Sequence, residues 1–265
     1  MELGLKGKVV LVTGASRGIG RAIALVFAAE GCRLALASRT PSALAAVAEE
    51  VEALGSEARH WATDVTDPTQ VETLVRNVCR AWGGIDVLVN NAGGGYAKAF
   101  EAVGDEEWER IVNLNLFSAI RLSRAVLPSM KERGDGQIIN IAALSGRVPR
   151  LGQIASNAAK AALINFTESL AAEVASHGIR VNAVCPAAIL TERWQQRVAH
   201  YGKEHGLSIE QAMTALAGKG IPLGRFGLPE EVASAVVFLA SERAGFITGV
   251  SIFVDGGMGR SVSIP

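Results

Sequence analysis

Val9-Val10-Leu11-Val12-Thr13-Gly14-Ala15-Ser16-Arg17-Gly18-Ile19-Gly20 decides how the rest of the chain is read. Its first four residues are apolar and mostly β-branched, the pattern of a strand buried on both faces. From Ile19 to Glu30 apolar residues recur at helical spacing, and Gly31 supplies the stop. Each glycine between strand and helix has its own use. Gly14 permits a tight turn, Gly18 lets the backbone approach a pyrophosphate, and Gly20 lets the helix pack closely on the strand. The helix N-terminus then points N–H groups at anionic oxygens. In this strand–turn–helix setting the loop reads as a dinucleotide site, with Ser16, Arg17 and Ile19 among its glycines.

The alternation continues outward. Leu34–Ala37, Ala58–Ala62, Val87–Val89, Gln137–Ile141, Arg180–Val184 and Ser251–Val254 read as further strands. Ala43–Leu54, Pro68–Trp82, Glu106–Arg133, Ile154–His177 and Pro229–Ser241 carry helical spacing. Such alternation predicts an α/β chain with a parallel sheet and helices on both faces. Right-handed crossovers make it a doubly wound sheet with a ligand crevice at the carboxyl ends of the strands. Pro186 to Phe226 is too long for an ordinary connection and has a helical pattern of its own. It is expected to be a lid or binding loop.

Composition narrows the function classes. Of 265 residues 49% are apolar and 20% charged, enough for a sizeable core and too little charge for a disordered chain. Twenty-six basic and 26 acidic residues cancel, so no overall field draws the chain to nucleic acid or an anionic membrane. No apolar run approaches the roughly 18 residues of a membrane span, and Met1 to Lys8 lacks the apolar stretch of a signal peptide. Cys32, Cys79 and Cys185 are too few for a disulfide framework and read as small buried side chains. The four histidines, His60, His177, His200 and His205, are scattered, so no metal is expected. A reducing cytoplasm is the expected compartment.

An NAD site places an acid about 20 residues past the glycines, on the ribose 2′-hydroxyl. Here that position is Ser38, followed by Arg39. No carboxylate repels a 2′-phosphate, and a guanidinium stands ready to pair with one, with Arg17 as a second positive charge. The reading is NADP(H) over NAD(H).

At this point several motifs in order resemble the short-chain dehydrogenases/reductases, and within them the branch of bacterial β-ketoacyl carrier-protein reductases. Thr13-Gly14-x-x-x-Gly18-x-Gly20 is similar to the family's cofactor motif, and Asp64-Val65 to its adenine contact. Asn90-Asn91-Ala92-Gly93 resembles the motif ending the fourth strand beside the cofactor. Asn115 matches the asparagine of a proton relay. The stretch from Pro186 through Ile189 to Thr191 resembles the one holding the nicotinamide carboxamide, with Ala187 in place of a glycine. Gly224-Arg225-Phe226-Gly227 and Val254-Asp255-Gly256-Gly257 resemble C-terminal signatures. The match runs from about Leu5 to Gly259. It implies a single Rossmann-type domain over residues 1–265, a substrate lid at about 186–226, and a homotetramer with the last strand near a subunit contact.

The resemblance also implies a serine, a tyrosine and a lysine four residues after the tyrosine. The tyrosine gives its proton to a carbonyl oxygen, and a nearby ammonium brings that proton's departure within reach of neutral pH. Lys160 matches, and the family gives it a cofactor contact as well. The tyrosine position is Ser156 and the serine position is Ala143. The chain's two tyrosines, Tyr96 and Tyr201, match neither position. Ser156 lies one helical turn from Lys160. Its short hydroxyl needs a water to reach a substrate oxygen, with Lys160 as the proton source through that water. Ser145, two residues past Ala143, is a candidate stand-in for the serine.

The reading favoured is an NADP(H)-dependent oxidoreductase interconverting a small-molecule carbonyl and a secondary alcohol through a modified relay. A second is an NADP(H)-binding protein without redox chemistry, a sensor or an inactive partner subunit. A third makes Ser156 and Lys160 a nucleophile pair for acyl transfer, although no oxyanion hole is visible. An engineered knock-out is a fourth, although Tyr→Ser is an unusual choice for it. His200 and Tyr201 are open between substrate contact and solvent, and Trp194 and Met213 read as lid packing.

Overall fold

A computed structural model describes residues 2–95 and 97–260. Seven strands, Val9–Thr13 (β1), Arg33–Ser38 (β2), Ala58–Ala62 (β3), Val87–Asn90 (β4), Gly136–Ile141 (β5), Ile179–Pro186 (β6) and Ser251–Val254 (β7), form one sheet. Every pairing is parallel, in the order β3-β2-β1-β4-β5-β6-β7. The order reverses between β1 and β4, where an open α/β sheet forms its crevice.

Strand period two sends alternate side chains to two apolar layers. Val10 and Val12 of β1, with Val89 and Ile139, pack against helices α1 (Gly18–Ala29), α2 (Pro41–Ala53) and α9 (Pro229–Ala240). Val9 and Leu11, with Leu88 and Ile138, pack against α3 (Pro68–Trp82), α5 (Ser118–Arg133) and α6 (Ile154–Val174). All five residues of β1 are buried. Each such aliphatic side chain stabilises the fold by about 1.5–3 kcal/mol. Burial on both faces is why the strands read as unbroken apolar runs. Cys32 and Cys185 are buried and Cys79 half-buried, all as free thiols.

Two boundaries correct the sequence reading. Glu106–Arg133 is not one α-helix. It is α4 (Asp105–Val112), a π-turn over Asn113–Phe117, and α5. The Asn115 amide takes the Ile111 carbonyl, the acceptor its own turn offers, and the ladder slips by one residue. β6 runs on to Pro186 because Pro186 still pairs with Val254; a proline needs no donor at a strand end.

Residues 186–226 carry α7 (Glu192–His205) and α8 (Ile209–Gly218), which share a small apolar cluster of their own. Val198, Ala212, Ile221 and Phe226 are buried in it, with Trp194 and Met213 packed alongside. A parallel bridge from Ile189 to Gly227 ties the segment to the sheet. Among the described residues no helix is long and apolar enough to cross a membrane.

Candidate active site

The ends of β1 and β4 are laced together at the reversal. Thr13 Oγ1 accepts from the backbone N–H of Asn91 and of Ala92, both at 3.1 Å. Asn91 Nδ2 donates to the carbonyls of Thr13 at 2.9 Å and Gly14 at 3.2 Å. This leaves no room for a side chain at Gly14 or Gly20. Gly14 has φ +64°, and a Cβ there would lie 2.9 Å from Asn91 Nδ2. A Cβ on Gly20 would collide with the Gly14 carbonyl. Arg17 precedes α1 without capping it, and no acid stands in the first turn, so the leading N–H groups lack a side-chain acceptor. Thr191 lies over Gly18, its Cγ2 3.4 Å from where a Cβ would sit. The loop and the start of α7 therefore face each other, joined by an exposed Arg17–Glu192 pair at 3.9 Å.

Ser38 ends β2, and its hydroxyl accepts from Thr40 N at 3.4 Å. Arg39 is exposed, with no acid partner among the described residues. The Asp64 carboxylate accepts from both the backbone and the hydroxyl of Thr66, at 2.9 and 2.7 Å. Val65 and Ile189 are buried, so only their backbone is available to a ligand. Ala187 costs no strain in place of a glycine, because no described non-glycine residue has positive φ.

The second half of the site is the corner where β5, α6 and the π-turn meet. Asn115 Nδ2 donates to the carbonyls of Gly94 and Ile111, at 2.8 and 2.9 Å, and its Oδ1 accepts from Gly94 N at 3.1 Å. The buried Lys160 Nζ donates to the Ile141 carbonyl at 2.7 Å. A Cβ on Gly93 would lie 2.9 Å from Asn115 Oδ1 and 3.3 Å from Lys160 Nζ, so both groups converge on one point. Burial brings the Lys160 ammonium down from 10.5 to about 8. Ser156 is half-buried; a Cβ on Gly95 would touch its Cβ and Oγ at 3.1 Å. No hydrogen bond joins Ser156 Oγ to Lys160 Nζ, the contact that activating a serine nucleophile needs. A void of about 10 Å³, on the scale of one water molecule, abuts Ser156 on the side of Ile111 and Val103. Ala143, two residues past the end of β5, has extended backbone, and Ser145 is buried in the single turn that follows. Gly146 then packs on the Lys160 backbone, where a Cβ would lie 2.8 Å from the carbonyl carbon.

Tyr96 lies outside the described residues. Tyr201 stacks on His205 and accepts from Lys219 Nζ at 2.9 Å, and exposed His200 faces Glu204 at 3.3 Å. These contacts all lie within the 186–226 segment. Sequence reasoning missed the π-turn and the part played by Gly95. Two asparagines inside a helical run, and three glycines in succession at 93–95, were the available signals.

A family model of the short chain dehydrogenases matches residues 8–202. The chain belongs to that family. Among relatives of the dehydrogenase, the 3-oxoacyl-(acyl-carrier-protein) reductase of Vibrio cholerae is 41% identical over 256 residues, 97% of this chain and 99% of that one. The D-beta-hydroxybutyrate dehydrogenase of Rhizobium meliloti is 35% identical, covering 94% of this chain and 98% of that one. The solved L-sorbose reductase of Gluconobacter frateurii, complexed with NADPH and L-sorbose, superposes with a TM-score of 0.95 at 38% identity, over 99% of this chain and 100% of that one. An actinorhodin polyketide ketoreductase with NADPH gives 0.90 at 35%, over 98% and 100%. The seven-stranded parallel sheet with helices on both sides is the Rossmann-type architecture of these neighbours.

Proposed function

We propose that this short-chain dehydrogenase is an NADP(H)-dependent oxidoreductase interconverting a carbonyl and a secondary alcohol, with Lys160 as the proton-holding group in place of a tyrosine. The observation that carries it is the convergence of buried Lys160 Nζ and Asn115 Oδ1 on Gly93, beside Ser156.

The cradle suits a dinucleotide. The tight turn that Gly14 and Gly20 permit, the open side of Gly18, the uncapped start of α1, Ser16, Ile19 and Arg17 fit a pyrophosphate. Ser38 and exposed Arg39 fit a 2′-phosphate, in keeping with NADPH in the two structural neighbours. Asp64 and the backbone of Val65 would hold the base. Asn91, Ala92, Gly93 and Lys160 would hold the nicotinamide ribose, and Pro186, Ile189 and Thr191 the carboxamide. The bound cofactor supplies or accepts a hydride at the substrate carbon.

The chain's own residues supply the proton. Lys160, held by Ile141, keeps an ammonium proton at Nζ that is easier to release than an ordinary lysine's. Ser156 is too short to touch both Lys160 and substrate, so it orients a bridging water. Asn115 grips Gly94 from both sides and fixes the loop facing Lys160. Ser145 is the remaining hydroxyl near the Ala143 position and steadies the substrate oxygen. Residues 186–226 act as the lid of the single domain. The exposed Phe246 and Val250 beside the edge strand β7 suit burial in a homotetramer. The compartment proposed is the cytoplasm.

The second reading, cofactor binding without turnover, is favoured by the two changed positions, Ala143 and Ser156. NADPH oxidation with a broad ketone and aldehyde panel separates the two, run beside an Ala143→Ser/Ser156→Tyr double variant. Turnover by the unchanged protein, lost in Lys160→Ala, is the expected result. Turnover by the double variant alone overturns it in favour of the second reading.

A further inference from the structure

Three arginines lie close enough to perturb one another, and two of them are tied to residues that border Ser156. Arg150 lies in the turn leading into α6, where its carbonyl accepts from Asn157 Nδ2 at 2.8 Å. Its backbone is thus fastened to the residue next to Ser156. Arg193, in the first turn of α7, donates from Nη2 to the Gly95 carbonyl at 2.8 Å. Gly95 is the residue pressed against the Ser156 side chain. Arg197 follows one helical turn later. Trp194 stands between them: the guanidinium carbons of Arg150 and Arg197 lie 5.7 and 5.2 Å from its ring centre.

None of the three has an acid partner among the described residues. Glu192, their neighbour on α7, faces Arg17 instead. The chain as a whole is neutral, so the excess is local. The guanidiniums disturb one another. Arg150 is pushed below the usual arginine range by burial and then by Arg197 and Arg193, and Arg193 by burial and then by Arg197. An aromatic face attracts each cation but does not relieve the repulsion between them. An oxyanion does, since guanidinium forks match carboxylate and phosphate oxygens. Exposed Leu151 and Ile154 flank the cluster on the Ser156 side.

We propose that the substrate carries an anionic group, carboxylate or phosphate, which docks on Arg150, Arg193 and Arg197 while its carbonyl reaches Ser156 and Lys160. This rests on the oxidoreductase reading for the chemistry, but the anion site itself has an independent readout. Binding is followed through the Trp194 fluorescence change, with Trp194→Phe as the blank. The probes are straight-chain oxo acids, their methyl esters and inorganic phosphate.

The acids are expected to bind at least tenfold more tightly than their esters, and more weakly as salt rises. Phosphate binding tighter than the acids assigns the anion to a phosphate group; the reverse assigns it to a carboxylate. Arg197→Gln lowers the acid-to-ester preference several-fold, and Arg150→Gln/Arg197→Gln brings it close to one, with thermal unfolding checking that the variants fold. Equal binding of acid and ester overturns the proposal, as does a preference that survives the double variant. Selective acid binding without NADPH oxidation keeps the anion site and removes the redox reading. Turnover of neutral ketones without acid preference does the opposite.

Discussion

The glycine loop after β1 and the corner between β5 and α6 lie on the same rim of the sheet, yet they tolerate change differently. The loop works through its backbone. Its glycines are set by space, with Asn91 and Gly14 filling the room a Cβ would need. The corner works through side chains: Asn115 and Lys160 converge on Gly93, while Ala143 and Ser156 stand where the resemblance implies a serine and a tyrosine. A shape built from backbone is lost with a single methyl group. A proton path can shed a side chain and keep its end points. On the proposed reading, binding and proton transfer are expected to be separable by mutation.

The sharpest way to break that comparison is Gly20→Ala. The added methyl collides with the Gly14 carbonyl, and overpacking of this kind costs about 1–3 kcal/mol. NADPH affinity, read by its fluorescence, is expected to fall by ~100-fold or more while thermal unfolding stays cooperative. Unchanged affinity would move the cofactor elsewhere. Next, Arg39→Ala removes a charged hydrogen bond worth about 1.5–3 kcal/mol. The ratio of NADPH to NADH affinity is expected to drop by roughly 10–100-fold, and a constant ratio would deny Arg39 its 2′-phosphate.

The smallest effect sharpens the corner. Lys160 must be protonated to give a proton, and burial sets its titration at about 8. Reductive kcat/KM is expected to fall about tenfold per pH unit above that value, and the oxidative rate to rise up to it. A flat profile from pH 7 to 10 assigns the proton to another group. The same shift acts on stability with a definite sign. The unfolded chain holds this proton up to about 10.5, so the folded state gains from Lys160 as pH rises from about 8 to 10.5.

The central strands β1 and β4 were legible because each is short, apolar, buried and bounded by turn residues; β3, with exposed Arg59 and His60, was read from its place in the alternation. The doubly wound parallel sheet followed from the same alternation, whereas the strand order and its reversal at β1 and β4 came from the structure. What sequence did not reveal depends on contacts between distant segments. Asn115 also grips Gly94, 21 residues away, a contact that no local pattern reveals. Arg150 and Arg197 meet only because α7 folds back over the start of α6 with Trp194 between them. Trp194 does pack, against Phe226 at 5.0 Å, but its ring also lies within cation–π reach of two guanidiniums.

The placement of β1 has a consequence for how the chain is born. β1 is made first but ends in the middle of the sheet, with β2 on one side and β4 on the other. Roughly 70 residues separate it from β4. At typical ribosomal rates its second edge waits some 4–15 s for a partner. Throughout that interval the nascent half-sheet exposes an unpaired edge between two apolar faces, and the glycine loop stays open until Asn91 arrives to close it. On the proposed cofactor reading, the loop is complete for a nucleotide only once β4 has arrived.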